Sequence, residues 1–373
     1  MMTSLKTWCL LSLSVLLLLL IAPTETEVVE LMSQCDEFFL EKTPPQVPGS
    51  LEKGKIKNSD QYKAICQTYR DERMFVTLYD TKNKIPVFSA YKYRGEGPLD
   101  EDKRRPKNVV WKIEPQLEDM KENKSMKDCD LAEYKQQASD DDYKNNKDYN
   151  RGHLFPSSHA FAKSDKMSTF TLTNIVPQAI TFNQGSWGKM EDCVKCILEN
   201  YCSNKEGYVV TGALPSPDTK VKLNNRVNIP SVLWSAFCCY SRDKKNLLAR
   251  AHWGDNVSEE STNKYMQMKT LAELQQKLGI DVFPGTKCWD TSVQETVAEM
   301  NTKIGNTCTR SFQTMSTSVP PTTTQSPAID RVSVQQSKVS FILQKRFLWK
   351  SKRIPLKKLL EPGLDITKKN VKV

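Results

Sequence analysis

The sequence predicts an α+β domain held by disulfides, and three observations carry that reading. Strand-like runs and helical periodicities share one region without strict alternation, which favours α+β over a parallel α/β sheet. Ten cysteines follow an apolar leader, an even number in a chain bound for an oxidising compartment. Mixed charge and scattered aromatics run through residues 27–309 and end there, which marks one domain of about 280 residues. With 38% hydrophobic and 26% charged residues, the 373-residue chain can bury a core, and collagen-like, coiled-coil and multi-span membrane classes are excluded.

Residues 1–26 read as a secretory signal peptide: Lys6 precedes the uncharged, Leu-rich run from Trp8 to Ala22, which Pro23 closes. A spanning helix needs roughly 20 apolar residues, and no other stretch approaches that. The expected product is secreted and extracellular, with no transmembrane segment in the mature chain. Loss of the leader removes Cys9 and leaves cysteines 35, 66, 129, 193, 196, 202, 238, 239, 288 and 308, all expected in disulfides, with Cys35–Cys66 as the nearest-neighbour pair. Cys193-Val-Lys-Cys196 has no second CxxC at zinc-finger spacing and falls under the same expectation.

Met74 to Tyr79 and Pro86 to Tyr93 are β-rich runs joined by the turn Thr81-Lys82-Asn83-Lys84, a predicted hairpin. Asn123-Lys-Ser125 and Asn256-Val-Ser258 are N-glycosylation sequons, each expected on an exposed loop. Tyr149 to Pro156 reads as a short strand with its following loop. The stretch Thr173 to Gln178 supplies a second strand, and Met190 to Tyr201 a helix, giving the order strand, long loop, strand, helix. Gly207 to Gly212 and Val232 to Tyr240 read as further strands. Met268, Leu271, Leu274 and Leu278 fall at helical spacing with Gly279 as a stop.

The formal charge of +10 is concentrated at one end. From Lys338 to Val373 eleven basic residues face Glu361 and Asp365, a net of +9, so a basic field over the main domain gives no support to nucleic-acid binding there. Residues 310–337 form a Ser/Thr/Pro-rich linker and residues 338–373 a basic tail, expected to be disordered. Phe341, Ile342, Leu343, Leu348 and Trp349 do not gather on one helical face, so a membrane-surface helix is weakly supported.

Only three histidines occur, at 153, 159 and 252. In Asn150-Arg151-Gly152-His153-Leu-Phe-Pro, strand alternation points Arg151 and His153 the same way. Phosphodiester hydrolysis needs a base near neutral pH, a cation for the developing charge and a positioned water. Histidine suits the first role. An asparagine carboxamide is a neutral, hard oxygen ligand suited to Mg²⁺, and it leaves the ion its full charge. Arg151 can hold a non-bridging oxygen. Singly, each residue has a plainer reading: an ordinary structural histidine, a helix N-cap at Asn183, a surface ion pair for Arg151, a solvated Glu191. Trp187 is expected in the core, and nothing around His159 or His252 forms a site.

Asn-Arg-Gly-His-Leu-Phe-Pro, followed by Asn174-Ile-Val-Pro-Gln178 and Asn183-Gln-Gly-Ser-Trp187, resembles the DNA/RNA non-specific endonucleases of the His-Me finger (ββα-metal) class. The similarity spans about residues 30 to 290 and leaves out the tail. It implies a ββα-metal nuclease domain with a mixed or antiparallel sheet, acting on DNA and RNA phosphate backbones without strong sequence preference. It makes His153 the general base, Asn183 the direct ligand of one Mg²⁺ (or another divalent ion such as Mn²⁺), and Arg151 the residue on the scissile phosphate. Glu191 would reach the ion through water, and Asn174 and Gln178 would shape the site. Two departures stand out: the motif usually begins with aspartate where this chain has Asn150, and Lys92 stands where a second arginine is expected, keeping the charge but not the fork. Both leave open a chain that binds nucleic acid or another partner on the same fold with its chemistry weakened or lost.

Overall fold

Hydrophobic runs of eight or nine residues build the centre of the protein. In the computed structural model, residues 27–130, 133–242, 246–261 and 264–289 are described; the expected leader, linker and tail lie outside them. In chain order the elements that position the site are strands β1 (Val28–Val29), β2 (Tyr62–Tyr69), β3 (Glu72–Asp80), β4 (Ile85–Tyr93), β5 (Tyr149–His153) and β6 (Ile175–Ala179). They continue with helix α1 (Gly188–Tyr201), strands β7 (Gly207–Leu214), β8 (Val232–Tyr240) and β9 (Leu247–Asp255), and helix α2 (Leu271–Leu278).

Seven strands pair antiparallel in the order β1-β2-β3-β4-β7-β8-β9, while β5 and β6 form a separate antiparallel ribbon. Both faces of the large sheet are covered, so its strands read as nearly continuous buried runs rather than clean alternations. On one face Val76, Leu78, Phe88 and Trp234 pack with Leu271 and Leu274 of α2. On the other, Phe75, Tyr91 and Phe237 pack with Val194, Ile197 and Leu198 of α1 and with Ile175 of β6. The ββα unit is thereby clamped onto the sheet as its second layer.

The predicted hairpin is β3–β4, closed over residues 81–84 by Asp80, whose Oδ1 accepts the N–H groups of Lys82 and Asn83 at 3.0 Å each. Helix α2 begins later than the spacing from Met268 implies, because Thr270 caps it: its hydroxyl accepts the Glu273 N–H at 3.1 Å, and Gly279 ends it at φ 74°. Strands β2 and β9 were not expected. The first carries buried Gln67 and Thr68, and the second is Leu-Leu-Ala-Arg-Ala, rich in helix formers; pairing within the sheet overrides both signals.

Neighbouring Cys238 and Cys239 point to opposite faces of β8 and cross-link opposite layers. Cys239 joins Cys202 at the end of α1, and Cys238 joins Cys288 beyond α2. Cys35–Cys66 forms as expected and ties the N-terminal segment to β2. Loop closure over 31 to 50 residues makes each worth on the order of 4 kcal/mol. Cys196 is also disulfide-bonded.

Two expectations are corrected. Cys129 and Cys193 are free thiols, so the cysteines are not all paired. Cys193 lies on the buried side of α1, where burial pushes its thiol up to about 12 and leaves it a small apolar side chain. Asn123 is exposed, but Asn256 is not: its Oδ1 accepts the Ala179 N–H at 2.8 Å and its Nδ2 donates to the carbonyls of Pro177 and Pro230, both at 2.9 Å. No helix among the described residues is long and apolar enough to cross a membrane.

Candidate active site

Where the ββα unit opens to solvent, a cavity of about 200 Å³ brings together Arg151, His153, Asn183 and Glu191. Arg151 and His153 reach it from alternate positions of β5, as strand geometry requires. Between them Gly152 faces the other side of the ribbon, against Gln178. A Cβ at Gly152 would lie 2.6 Å from that of Gln178, so only glycine lets β5 and β6 approach at this point.

His153 is packed between the Trp111 and Phe170 rings, with centroids 5.4 and 5.1 Å away, and is 9% exposed. Burial, reinforced by the Arg105 charge, pushes its pKa down to about 3, while a hydrogen bond with the Arg151 backbone works the other way. The ring is therefore neutral at physiological pH and free to accept a proton, but burial makes it a weaker base than the near-neutral one expected from the sequence. Its Nε2 is buried with no hydrogen-bond partner, so the backbone bond falls to the opposite edge of the ring and Nε2 keeps a free lone pair.

The chain enters the helix through a turn that corrects its phase. Asn183 precedes Glu191 by eight residues, which on a regular α-helix would separate them by about 80° around the axis. The wider π-turn Asn183–Trp187, with Gly185 off helical dihedrals at φ −95° and ψ −114°, absorbs one residue and cuts that difference to about 20°. Both side chains then reach one cavity. Asn183 is not an N-cap: it has helical dihedrals, and the helix has already begun at Ile180. The Glu191 carboxyl is pushed up to about 8, chiefly by burial, and is held by the Trp187 indole N–H at 3.0 Å. Trp187 is fully buried, as expected of a core residue.

The ion pair that the plainer reading of Arg151 allowed is present, with Asp140. Nη2 of Arg151 lies 2.6 Å from Oδ1 of Asp140 and donates to the Asp140 carbonyl at 3.2 Å, while Trp111 and Tyr143 flank the guanidinium. The charge missing at Asn150 is thus supplied from outside the motif. Asn150 itself stands opposite Gln178 in the ribbon. Asn174 is fully buried and works from behind the cavity: its Oδ1 accepts the Phe155 N–H, and its Nδ2 donates to the carbonyls of Phe155 and Thr169, each at 3.0 Å. Gln178 lies on the far side of the ribbon with Gly152.

Lys92 corrects an expectation. It does not line this cavity but pairs with Glu206 at 3.0 Å beside the Tyr208 ring, because its place on β4 sets it against β7. The additional cations come from elsewhere. Lys103, Arg105, Lys166 and Lys195 all line the cavity, and none was singled out from the sequence. Arg105 packs over Phe170, Lys166 donates to the Ser157 carbonyl at 2.9 Å, and Lys195 pairs with Glu96 at 2.6 Å. Helical spacing gives a signal for Lys195, which follows Glu191 by four residues. The cluster Lys103-Arg104-Arg105 was a second signal.

His159, unassigned from sequence, is structural. Its Nε2–H donates to the Glu191 carbonyl at 3.0 Å, which leaves Nδ1 to accept the Tyr91 hydroxyl at 2.8 Å. It thereby anchors α1 to the sheet at Glu191.

Among the described residues no three His, Cys, Asp or Glu side chains gather as a metal cluster. The oxygen donors in the cavity are the Asn183 carboxamide and the Glu191 carboxyl, beside an unpartnered imidazole nitrogen. Such a set fits a hard divalent cation that keeps most of its waters, as Mg²⁺ does.

A ββα unit with the histidine on its first strand, the asparagine entering its helix and a cation-lined cavity between them is the His-Me finger arrangement of a nuclease fold. The chain belongs to the DNA/RNA non-specific endonuclease family, which matches residues 56–288. It is 30% identical to the endonuclease domain-containing 1 protein of Homo sapiens over 214 residues, 55% of this chain and 39% of that relative's length. A nuclease of Serratia marcescens is 27% identical over 141 residues, 36% of this chain and 51% of the relative. Among solved structures, that of the EndoG/EndoGI complex aligns with TM-score 0.40 and 20% identity, covering 59% of this chain and 87% of that one.

Proposed function

We propose that this protein is a secreted, metal-dependent endonuclease that hydrolyses phosphodiester bonds of DNA and RNA without strong sequence preference. The observation that carries the reading is the unpartnered, neutral His153 Nε2 in a cavity shared with Asn183, Glu191 and five cationic side chains.

His153 Nε2 takes a proton from the attacking water as its oxygen bonds to phosphorus and the leaving oxygen departs. Its other edge, held by the Arg151 backbone, fixes the ring for that transfer. Arg151, fastened by Asp140, holds a non-bridging phosphate oxygen, and Arg105 and Lys195 extend the grip to neighbouring phosphates. Asn183 would hold Mg²⁺, or Mn²⁺ in its place, and Glu191 would reach the ion through water. When bound, the ion supplies positive charge at the phosphate and the leaving oxygen. None of these residues reads base edges, which agrees with low sequence preference.

The family membership, the disulfides and the relatives' names, two of them endonuclease or nuclease, support the reading. Incubation of the tail-deleted protein with circular plasmid tests it. Nicking that a chelator abolishes and Mg²⁺ restores is expected; binding without nicking would leave a nucleic-acid-binding protein on a nuclease scaffold.

A further inference from the structure

We propose that Glu259 is a positioning residue that holds Asn183 on the cavity side of its helix; the inference rests on the reading of the cavity given above. Nothing in the sequence around Glu259 marks it, and it does not line the cavity. Its side chain is 2% exposed and lies behind the π-turn. One carboxylate oxygen accepts the Ser186 N–H at 3.0 Å and the other the Ser186 hydroxyl at 2.6 Å. The Glu259 N–H donates to Oγ1 of Thr181 at 2.7 Å.

Asn183 is thus bracketed: Thr181 precedes it, Ser186 follows it, and one residue from a distant part of the chain holds both. The fit at the turn is close. A Cβ at Gly185 would come within 2.6 Å of the Glu259 Oε2, so the carboxylate occupies the space the kink opens. Three residues earlier in the same segment, Asn256 fastens the end of β6 through Pro177 and Ala179. Residues 256–259 therefore buckle the strand-to-helix junction from outside.

The π-turn is the device that rotates Asn183 toward the Glu191 side, and a π-turn in a helix of ordinary residues is costly unless other groups hold it. Glu259 supplies that hold. Without it the turn can relax toward regular α geometry, which swings the Asn183 carboxamide away from the cavity by tens of degrees. The consequence falls on cation affinity before it falls on the chemical step, as it does when the partner that orients a ligand is removed.

The test uses the full-length protein with Glu259→Ala, Glu259→Gln and Ser186→Ala, measuring Mn²⁺ binding by calorimetry, the Mg²⁺ midpoint for plasmid nicking, and Tm. Glu259→Ala is expected to weaken Mn²⁺ binding about tenfold or more, with the Mg²⁺ midpoint moving by a similar factor and turnover at saturating Mg²⁺ changing less. Glu259→Gln, which can still accept one of the Ser186 donors, should fall between, and Ser186→Ala should shift in the same direction by less. Should Glu259→Ala fail to fold, the other two variants decide. Lower Tm with unchanged Mn²⁺ affinity in these variants would overturn the positioning role. A wild-type protein that binds no Mn²⁺ would overturn the reading of the cavity and this inference with it.

Discussion

Arg151 is held by Asp140, 2.6 Å from guanidinium to carboxylate, although Asp140 lies eleven residues upstream and outside the histidine motif. Both side chains are 26% exposed, so the pair adds at most about 1 kcal/mol to stability. A second contact to the Asp140 carbonyl and the flanking rings of Trp111 and Tyr143 further restrain the guanidinium, so the proposed role of the pair is to orient Arg151. Asp140→Asn is therefore expected to lower kcat/KM about tenfold, roughly 1.4 kcal/mol of transition-state stabilisation, while changing the unfolding free energy by less than about 1 kcal/mol. Steady-state kinetics beside urea denaturation checks this; equal losses in both would make the pair merely structural.

The cations missed from sequence make a prediction about salt. Arg105 and Lys195 each line the cavity and are proposed to meet one phosphate. Each contact releases about one counterion, so Arg105→Ala and Lys195→Ala should each reduce the slope of log affinity against log salt by about 0.9. DNA binding measured with a chelator present, so that no cutting occurs, gives the slope directly. An unchanged slope would remove that residue from the phosphate path.

Acid should weaken the fold through its buried histidines, and His252 shows it most cleanly because it does not line the cavity. Burial, with Arg250 nearby, pushes its pKa down to about 3, against 6.5 in the unfolded chain. Between those values the unfolded state holds the extra proton, so stability falls as pH falls. From pH 6.5 to 5 that amounts to about 1.6 kcal/mol, because the unfolded ring is already half protonated at the upper pH. His252→Gln should lose about that much less than wild type over the same interval, read from denaturant melts at the two pH values; identical losses would contradict the assignment.

Glycan placement separates two sequons that look alike in sequence. Asn123 is exposed, whereas all three hydrogen bonds of the Asn256 carboxamide are spent inside the fold, where losing them would leave buried backbone groups unpaired. In protein expressed through a secretory pathway, Asn123→Gln alone should abolish the mass shift on N-glycosidase treatment. A residual shift would place a glycan at Asn256.

Much of this architecture was legible because it is local. The β3–β4 hairpin follows from two β-rich runs and an Asp-led turn, and Gly207 and Val232 open strands where expected. The motif put Arg151 and His153 on one side of a strand, and the cavity receives both. What stayed hidden depends on pairing across distance. No spacing shows that Asp140 meets Arg151, that Glu259 meets Ser186, or that Lys92 faces Glu206 and not the cavity. Strand β9 was masked by helix-forming residues whose conformation the sheet decides. The π-turn has no spacing signal of its own: at regular helical pitch Asn183 and Glu191 would stand out of phase, and one absorbed residue brings them together.

The measurement that bears most directly on the account is Mg²⁺-dependent plasmid nicking by His153→Ala, run beside wild type with a chelator control and with circular dichroism to verify the fold. The ring is buried between Trp111 and Phe170, and its Nε2 is the proposed proton acceptor, so nicking should vanish while the spectrum is retained. Wild-type turnover in a correctly folded His153→Ala protein would contradict the mechanism at its centre.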